Sequence, residues 1–186
     1  MLITKAQIIV IEDITGEDGR KAGERLRVLY QAIPTCGECG HPMKIRDFVW
    51  RTIITMSGCR GRIRVRRLVC TAEDCYLHTH PRRNLPRGVL PRRLYSAEVH
   101  QAVAEGRDDV PCPPNTLHRI LKWVRQMAAC LIASGLFPLL CENVNDLPDE
   151  TAGPLERLKN ITGGGEDWFA RAVERAAGGG GGLHWA

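Results

Sequence analysis

Aromatic residues make up only 5% of this chain, and it has no long hydrophobic run. The longest uncharged stretch, Met127 to Cys141, contains Ser134-Gly135 and Pro138 and falls short of the about twenty residues a bilayer span requires. The opening residues lack the charged start, apolar core and small-residue cleavage site of a secretory signal. The expectation is a soluble cytoplasmic protein, placed at the nucleoid, with no membrane partner. Convergent carboxylates are also missing: Asp149-Glu150 and Glu166-Asp167 are the only late acidic pairs. Metal-assisted phosphoryl transfer needs several acids around one ion. Gly163-Gly-Gly165 lacks the lysine of a phosphate loop, and no serine or cysteine nucleophile has a legible base. The expectation is a protein that is not an enzyme. Scarce aromatics count against an RNA-binding protein that stacks splayed bases, Trp50 being the best placed.

Cysteine is present in quantity. Two of the eight form Cys36-x-x-Cys39, followed by Gly40, and two more form Cys70-x4-Cys75. Spacings of two to four residues let both sulfurs of a knuckle turn inward on one metal. Four thiolates give a closed tetrahedral site, so the expected cofactor is one structural Zn2+ held by Cys36, Cys39, Cys70 and Cys75. His78 and His80 lie near enough to stand in for Cys75. A single iron is a weaker alternative, because the intervening strands are cationic. Disulfides are disfavoured without a secretory signal. Cys59 is expected in an exposed turn and Cys112 in a proline turn. Cys130 and Cys141 read as buried apolar thiols.

Charge is distributed unevenly. From Lys44 to Arg93 there are thirteen Lys or Arg against three acids, whereas from Leu136 onward there are eight acids and four bases. Arginine suits phosphate because its planar fork donates two hydrogen bonds at once. The expected nucleic-acid contacts are Arg60, Arg62, Arg64, Arg66, Arg67, Arg82, Arg83, Arg92 and Arg93. The bland alternative is a solvated strand face.

Hydrophobic periodicity predicts an α+β protein, a small β zinc ribbon followed by a helix-turn-helix-like region. Five segments follow: a strand and helix over 1–33, the ribbon over 34–80, a basic proline-rich connector over 81–95, the helix-turn-helix-like region over 96–135 and an acidic helical tail over 136–186. The first segment pairs a strand at Gln7 to Asp13 with a turn at Gly16 to Gly19 and a helix at Arg20 to Ala32. Ribbon strands are expected at Phe48 to Met56 and Arg62 to Val69, joined by a turn at Ser57 to Gly61. In the second strand Ile63 and Val65 should face one way and Arg62, Arg64 and Arg66 the other. Ser96 caps a short helix to Glu105. Asn115 or Thr116 caps a longer one to Ala133, with His118, Arg119, Lys122 and Arg125 opposite its apolar stripe. If that helix enters a major groove, Asn115, Thr116, His118, Arg119 and Lys122 lie nearest the bases. Leu155 to Ile161 reads as a helical turn and Glu166 to Ala177 as a helix. Gly178 to Gly182 cannot hold one.

The run Arg67-Leu-Val-Cys70, Cys75, His78-Thr-His80, Leu85-Pro86, Leu90-Pro91 and Tyr95-Ser-Ala-Glu-Val99 continues into Thr116-Leu-His-Arg-Ile-Leu-Lys-Trp123. It resembles the uncharacterised bacterial zinc-ribbon proteins whose ribbon leads into a transposase-like helix-turn-helix. The resemblance spans Cys36 to Gln126. It implies binding of duplex DNA by an accessory or regulatory factor of a mobile element or recombinase. The chain departs from the pattern between Gly106 and Asn115, where a short proline-rich stretch replaces the usual middle helix. The alternatives are an RNA-binding ribbon, an adaptor that meets a protein through its acidic C-terminal region, and a transposase remnant.

Overall fold

A computed structural model describes residues 8–15, 17, 21–30, 32–134 and 151–178. It is a mixed α+β protein that divides into two compact units, Met1–Ile54 with Cys59–Leu94, and Thr55–Gly58 with Tyr95–Ala186. The first unit therefore takes in the N-terminal segment, ribbon and connector, which the sequence reads as three pieces.

The first unit opens with an antiparallel hairpin of β1 (Ile8–Thr15) and β2 (Lys21–Leu29). Within the span where a helix is expected, Arg20 to Ala32, Lys21–Leu29 is a strand instead. Its burial in the fold follows period two: Arg25 and Arg27 are exposed while Leu26 between them is buried. A lone β1 would leave its backbone donors and acceptors unpaired, and β2 satisfies them. Gln7 and most of the Gly16 to Gly19 turn lie outside the described residues.

A second sheet, antiparallel in the order β3-β4-β5, contains Met43–Ile54, Arg60–Cys70 and Arg82–Arg83. Two small cores lie on its opposite faces. Ile53, Ile63 and Val65 pack with Leu26 and Val89 on one face. On the other, Leu68 and Cys70 join Cys36, Met43, Cys75 and Leu77. The predicted alternation holds for Arg62 and Arg64, which are exposed, and fails at Arg66, which is buried. Arg66 shares its face with Leu68 and Cys70, where the second core begins.

The connector is mostly irregular, as expected, with β5 as its one short strand. Arg51 ties it to the sheet, its guanidinium donating to the carbonyls of Leu90 and Arg93. Cys59 is half-buried against the first core, not exposed.

The second unit begins with α2 (Ala97–Ala104), following a single turn, α1 (Tyr76–Thr79), in the first. The Ser96 hydroxyl accepts a hydrogen bond from the Val99 amide at 3.4 Å, the cap the sequence predicts. α3 runs Pro114–Ala133 and starts earlier than predicted, with Pro113 at the cap and Pro114 in the first turn. Proline fits there because its missing N–H has no helical partner to lose. α4 (Pro154–Ile161) and α5 (Trp168–Gly178) complete the described elements. Trp168, Phe169, Ala172 and Val173 are buried as the predicted face requires. Phe169 packs with His100 and Trp123, and the Trp168 indole donates to Glu105 Oε1 at 2.9 Å. The apolar face of α5 is thus spent on the core it shares with α2 and α3. Cys130 is exposed, contrary to expectation, because it falls off the buried stripe of α3. Cys141, Asp149-Glu150 and Gly179 to Gly182 lie outside the described residues.

Candidate metal centre and basic face

The two knuckles converge. The sulfurs of Cys36, Cys39, Cys70 and Cys75 all lie within 4.8 Å of one another. Cys36 Sγ is 3.6 Å from Cys75 Sγ, and Cys39 Sγ is 3.4 Å from Cys70 Sγ. Zinc–sulfur bonds of about 2.3 Å set tetrahedral S···S edges of about 3.8 Å, so the cluster has the size for one such ion. Local backbone geometry creates it. The Gly40 amide donates to the Cys36 carbonyl at 2.9 Å, and the Cys36 amide donates to the His41 carbonyl at 2.8 Å. Gly40 has φ +74°, a left-handed conformation that glycine adopts without steric penalty. On the other side, the Ala72 amide donates to Cys70 Sγ at 3.4 Å, an acceptor role that suits a thiolate.

Electrostatics favour a cation in the cluster. Burial opposes ionisation of Cys36, but the amides of Cys39 and Glu38 and the neighbouring thiols outweigh it, lowering its pKa to about 7. The Leu77 amide favours a Cys75 thiolate, yet burial and the three other sulfurs push it up to about 12. Burial likewise raises Cys70. Four sulfurs this close cannot all ionise without a positive ion among them.

The histidine alternative finds no geometry here. His78 Nδ1 lies 3.0 Å from the Cys70 carbonyl oxygen. The His80 ring stacks on Tyr76, with centroids 3.9 Å apart. Cys75 supplies the fourth sulfur. All seven described cysteines are free of disulfides.

The arginines sort into two groups. Arg60, Arg62, Arg64, Arg82, Arg83 and Arg92 are exposed. Arg67 is clamped to Asp47 through both guanidinium arms, and this pair holds the Asp47 carboxyl below the usual carboxylate range. Arg66 lies over the Tyr30 ring at 4.3 Å and donates to the Ala32 carbonyl. These contacts occupy Arg66 and Arg67 within the fold. Arg93 is half-buried and joins Arg51, Arg83 and Arg92 around a cleft of about 320 Å3 with no acidic lining residue.

In the second unit, His118, Arg119, Lys122 and Arg125 are exposed on α3, and Thr116 is half-buried. No helix occurs between α2 and α3, where residues 105–113 form turns and bends. The sequence singles out Trp50 as the best-placed aromatic but not Phe48, nor the packing of both rings against the arginines of β4. Their i, i+2 spacing in a strand is the signal that places them on one face.

Residues 36–120 match a protein family described as a domain of unknown function, DUF6431. No curated protein and no solved structure matches the chain. The matched segment contains all four clustered cysteines, the arginine strand and the start of α3.

Among the described residues, no helix is long and apolar enough to cross a membrane.

Proposed function

We propose that this chain is a zinc-stabilised DNA-binding protein whose ribbon-like unit supplies the main contact surface. One structural Zn2+ on Cys36, Cys39, Cys70 and Cys75 would lock the two knuckles, leaving no position open for chemistry. The observation that carries the reading is the set of exposed arginines at Arg60, Arg62, Arg64, Arg82, Arg83 and Arg92 in the same compact unit as that cluster. Such a surface is complementary to phosphate and tolerant of sequence. The basic outer side of α3, with His118, Arg119 and Lys122, would add a second contact, and Thr116 a weaker one. The setting that the resemblance implies is an accessory or regulatory role in a mobile element or recombinase system, without catalysis.

The test is fluorescence anisotropy of the purified, metal-assayed protein with random-sequence DNA, offered as duplex and as single strand across a salt series. Six phosphate contacts to duplex predict an affinity loss on the order of a thousandfold for a fourfold rise in salt. Metal removal should abolish the binding. Absence of binding in both forms at low salt, with one metal per chain present, would overturn the proposal and favour a protein partner.

A further inference from the structure

The face of β3 and β4 that carries the arginines also carries a ladder of rings. Register pairs Phe48 with Arg66, Trp50 with Arg64 and Thr52 with Arg62, so all six residues share one face. Arg62 and Arg64 each lean one rung along, and Arg66 leans to Tyr30, just past β2. Arg62 lies 5.3 Å from the Trp50 ring centroid, Arg64 lies 4.0 Å from that of Phe48, and Arg66 lies 4.3 Å from that of Tyr30. The Tyr30 rung is locked: its hydroxyl donates to the Arg64 carbonyl at 3.0 Å and accepts from the Arg66 amide at 3.2 Å. The other two rings are solvent-exposed, Trp50 58% and Phe48 39%, each with a guanidinium packed against it that can swing to a phosphate.

Resting on the DNA-binding reading, we propose that this face is a stacking platform for an unpaired DNA strand. Trp50 and Phe48 would each take one base, and Arg62 and Arg64 the flanking phosphates. Spacing selects the occupant. Same-face residues two apart in a strand are separated by about 6.8 Å, twice the about 3.4 Å between stacked nucleotides of a duplex strand. A duplex keeps its base faces covered and cannot lay one on each ring. An unstacked, extended strand exposes a π-face to each rung and a phosphate between them. Charge complementarity excludes an ordinary peptide strand as the better fit, because these six residues include three arginines and no acid. Among their side chains only the Thr52 hydroxyl and the Trp50 indole N–H are neutral hydrogen-bonding groups for a ribose 2′-hydroxyl, so RNA would gain little over DNA on this face.

The experiment uses the full-length, zinc-loaded protein with one mixed sequence offered as single-stranded DNA, duplex DNA and RNA. Trp50→Ala and Phe48→Ala should each weaken single-strand binding by about five- to 150-fold, the range of base–aromatic stacking. Duplex affinity should change by less than about threefold, below the weakest stacking effect. Trp50→Phe should restore most of the single-strand affinity, and zinc content with circular dichroism verifies that each variant is folded. Arg82→Ala with Arg83→Ala should weaken both forms together. Unchanged single-strand affinity in both aromatic variants, with DNA binding retained, overturns the platform and leaves the DNA-binding proposal intact. Tighter binding of the RNA than of the DNA strand overturns the assignment to DNA. Loss of all binding in the unaltered protein overturns both.

Discussion

At the scale of single residues, the fold depends on a few close approaches. Gly61 is one. A Cβ there would come within 2.8 Å of the Leu26 side chain, which is buried against Ile53, Ile63 and Val65. Leu26 has little room to retreat, so Gly61→Ala should lower stability by about 1–3 kcal/mol in chemical denaturation, as overpacking does. Asp47 gives a pH-dependent signature. Its pKa is lowered in the fold by the hydrogen bonds from Arg67. That contribution is complete above the unfolded carboxyl pKa, about 3.9, and is lost as pH falls through the lower folded value. The stability difference between the protein and Asp47→Asn should therefore be present near neutrality and vanish in strong acid. A difference that is constant with pH would show that the pair is not the cause.

At the scale of elements, the two knuckles bring four sulfurs together and leave the nearby histidines outside the cluster. Cys75 is inside the sulfur cluster while the His78 ring meets the Cys70 carbonyl. Cys75→Ser should lower the bound metal and collapse the amide chemical-shift dispersion of the first unit, because such sites couple metal binding to folding. His78→Ala should keep one metal per chain. The reverse pattern in metal analysis would move the fourth ligand to histidine. Strand β4 shows how far an alternating sequence can be read. Ile63, Val65, Arg62 and Arg64 obey the pattern, since one face meets one core. Arg66 does not, because the opposite face acquires its own core at Leu68 and Cys70. Strand β2 was illegible for a related reason. Its short apolar pattern fits a helix about as well as a strand, and only pairing with β1 decides it.

At the scale of the whole molecule, each compact unit has its own means of stability. The first has two small cores and the four-sulfur cluster. The second has an aromatic cluster in which Phe169 meets His100, Trp123 and Trp168. Chelation at mildly acidic pH should strip the metal, since protons compete for thiolates. The β-sheet signal and DNA binding should fall together while the helical circular dichroism persists. Simultaneous loss of the helices would show that the second unit needs the first to stay folded.

The sequence by itself determined the four cysteines as a set, the hairpin between them, and the helices begun by Ser96 and built on Trp168. Each is encoded locally: a knuckle by its spacing and glycine, a cap by its hydroxyl, a helix face by its period. Tertiary structure alone decided that Lys21–Leu29 is a strand, that Arg66 and Arg67 are held inside the fold, and that Phe48 and Trp50 stand among the remaining arginines. Those outcomes depend on which distant segment arrives at each face. Burial, pairing and ring contact are properties of two partners, and a chain read one residue at a time shows only one of them.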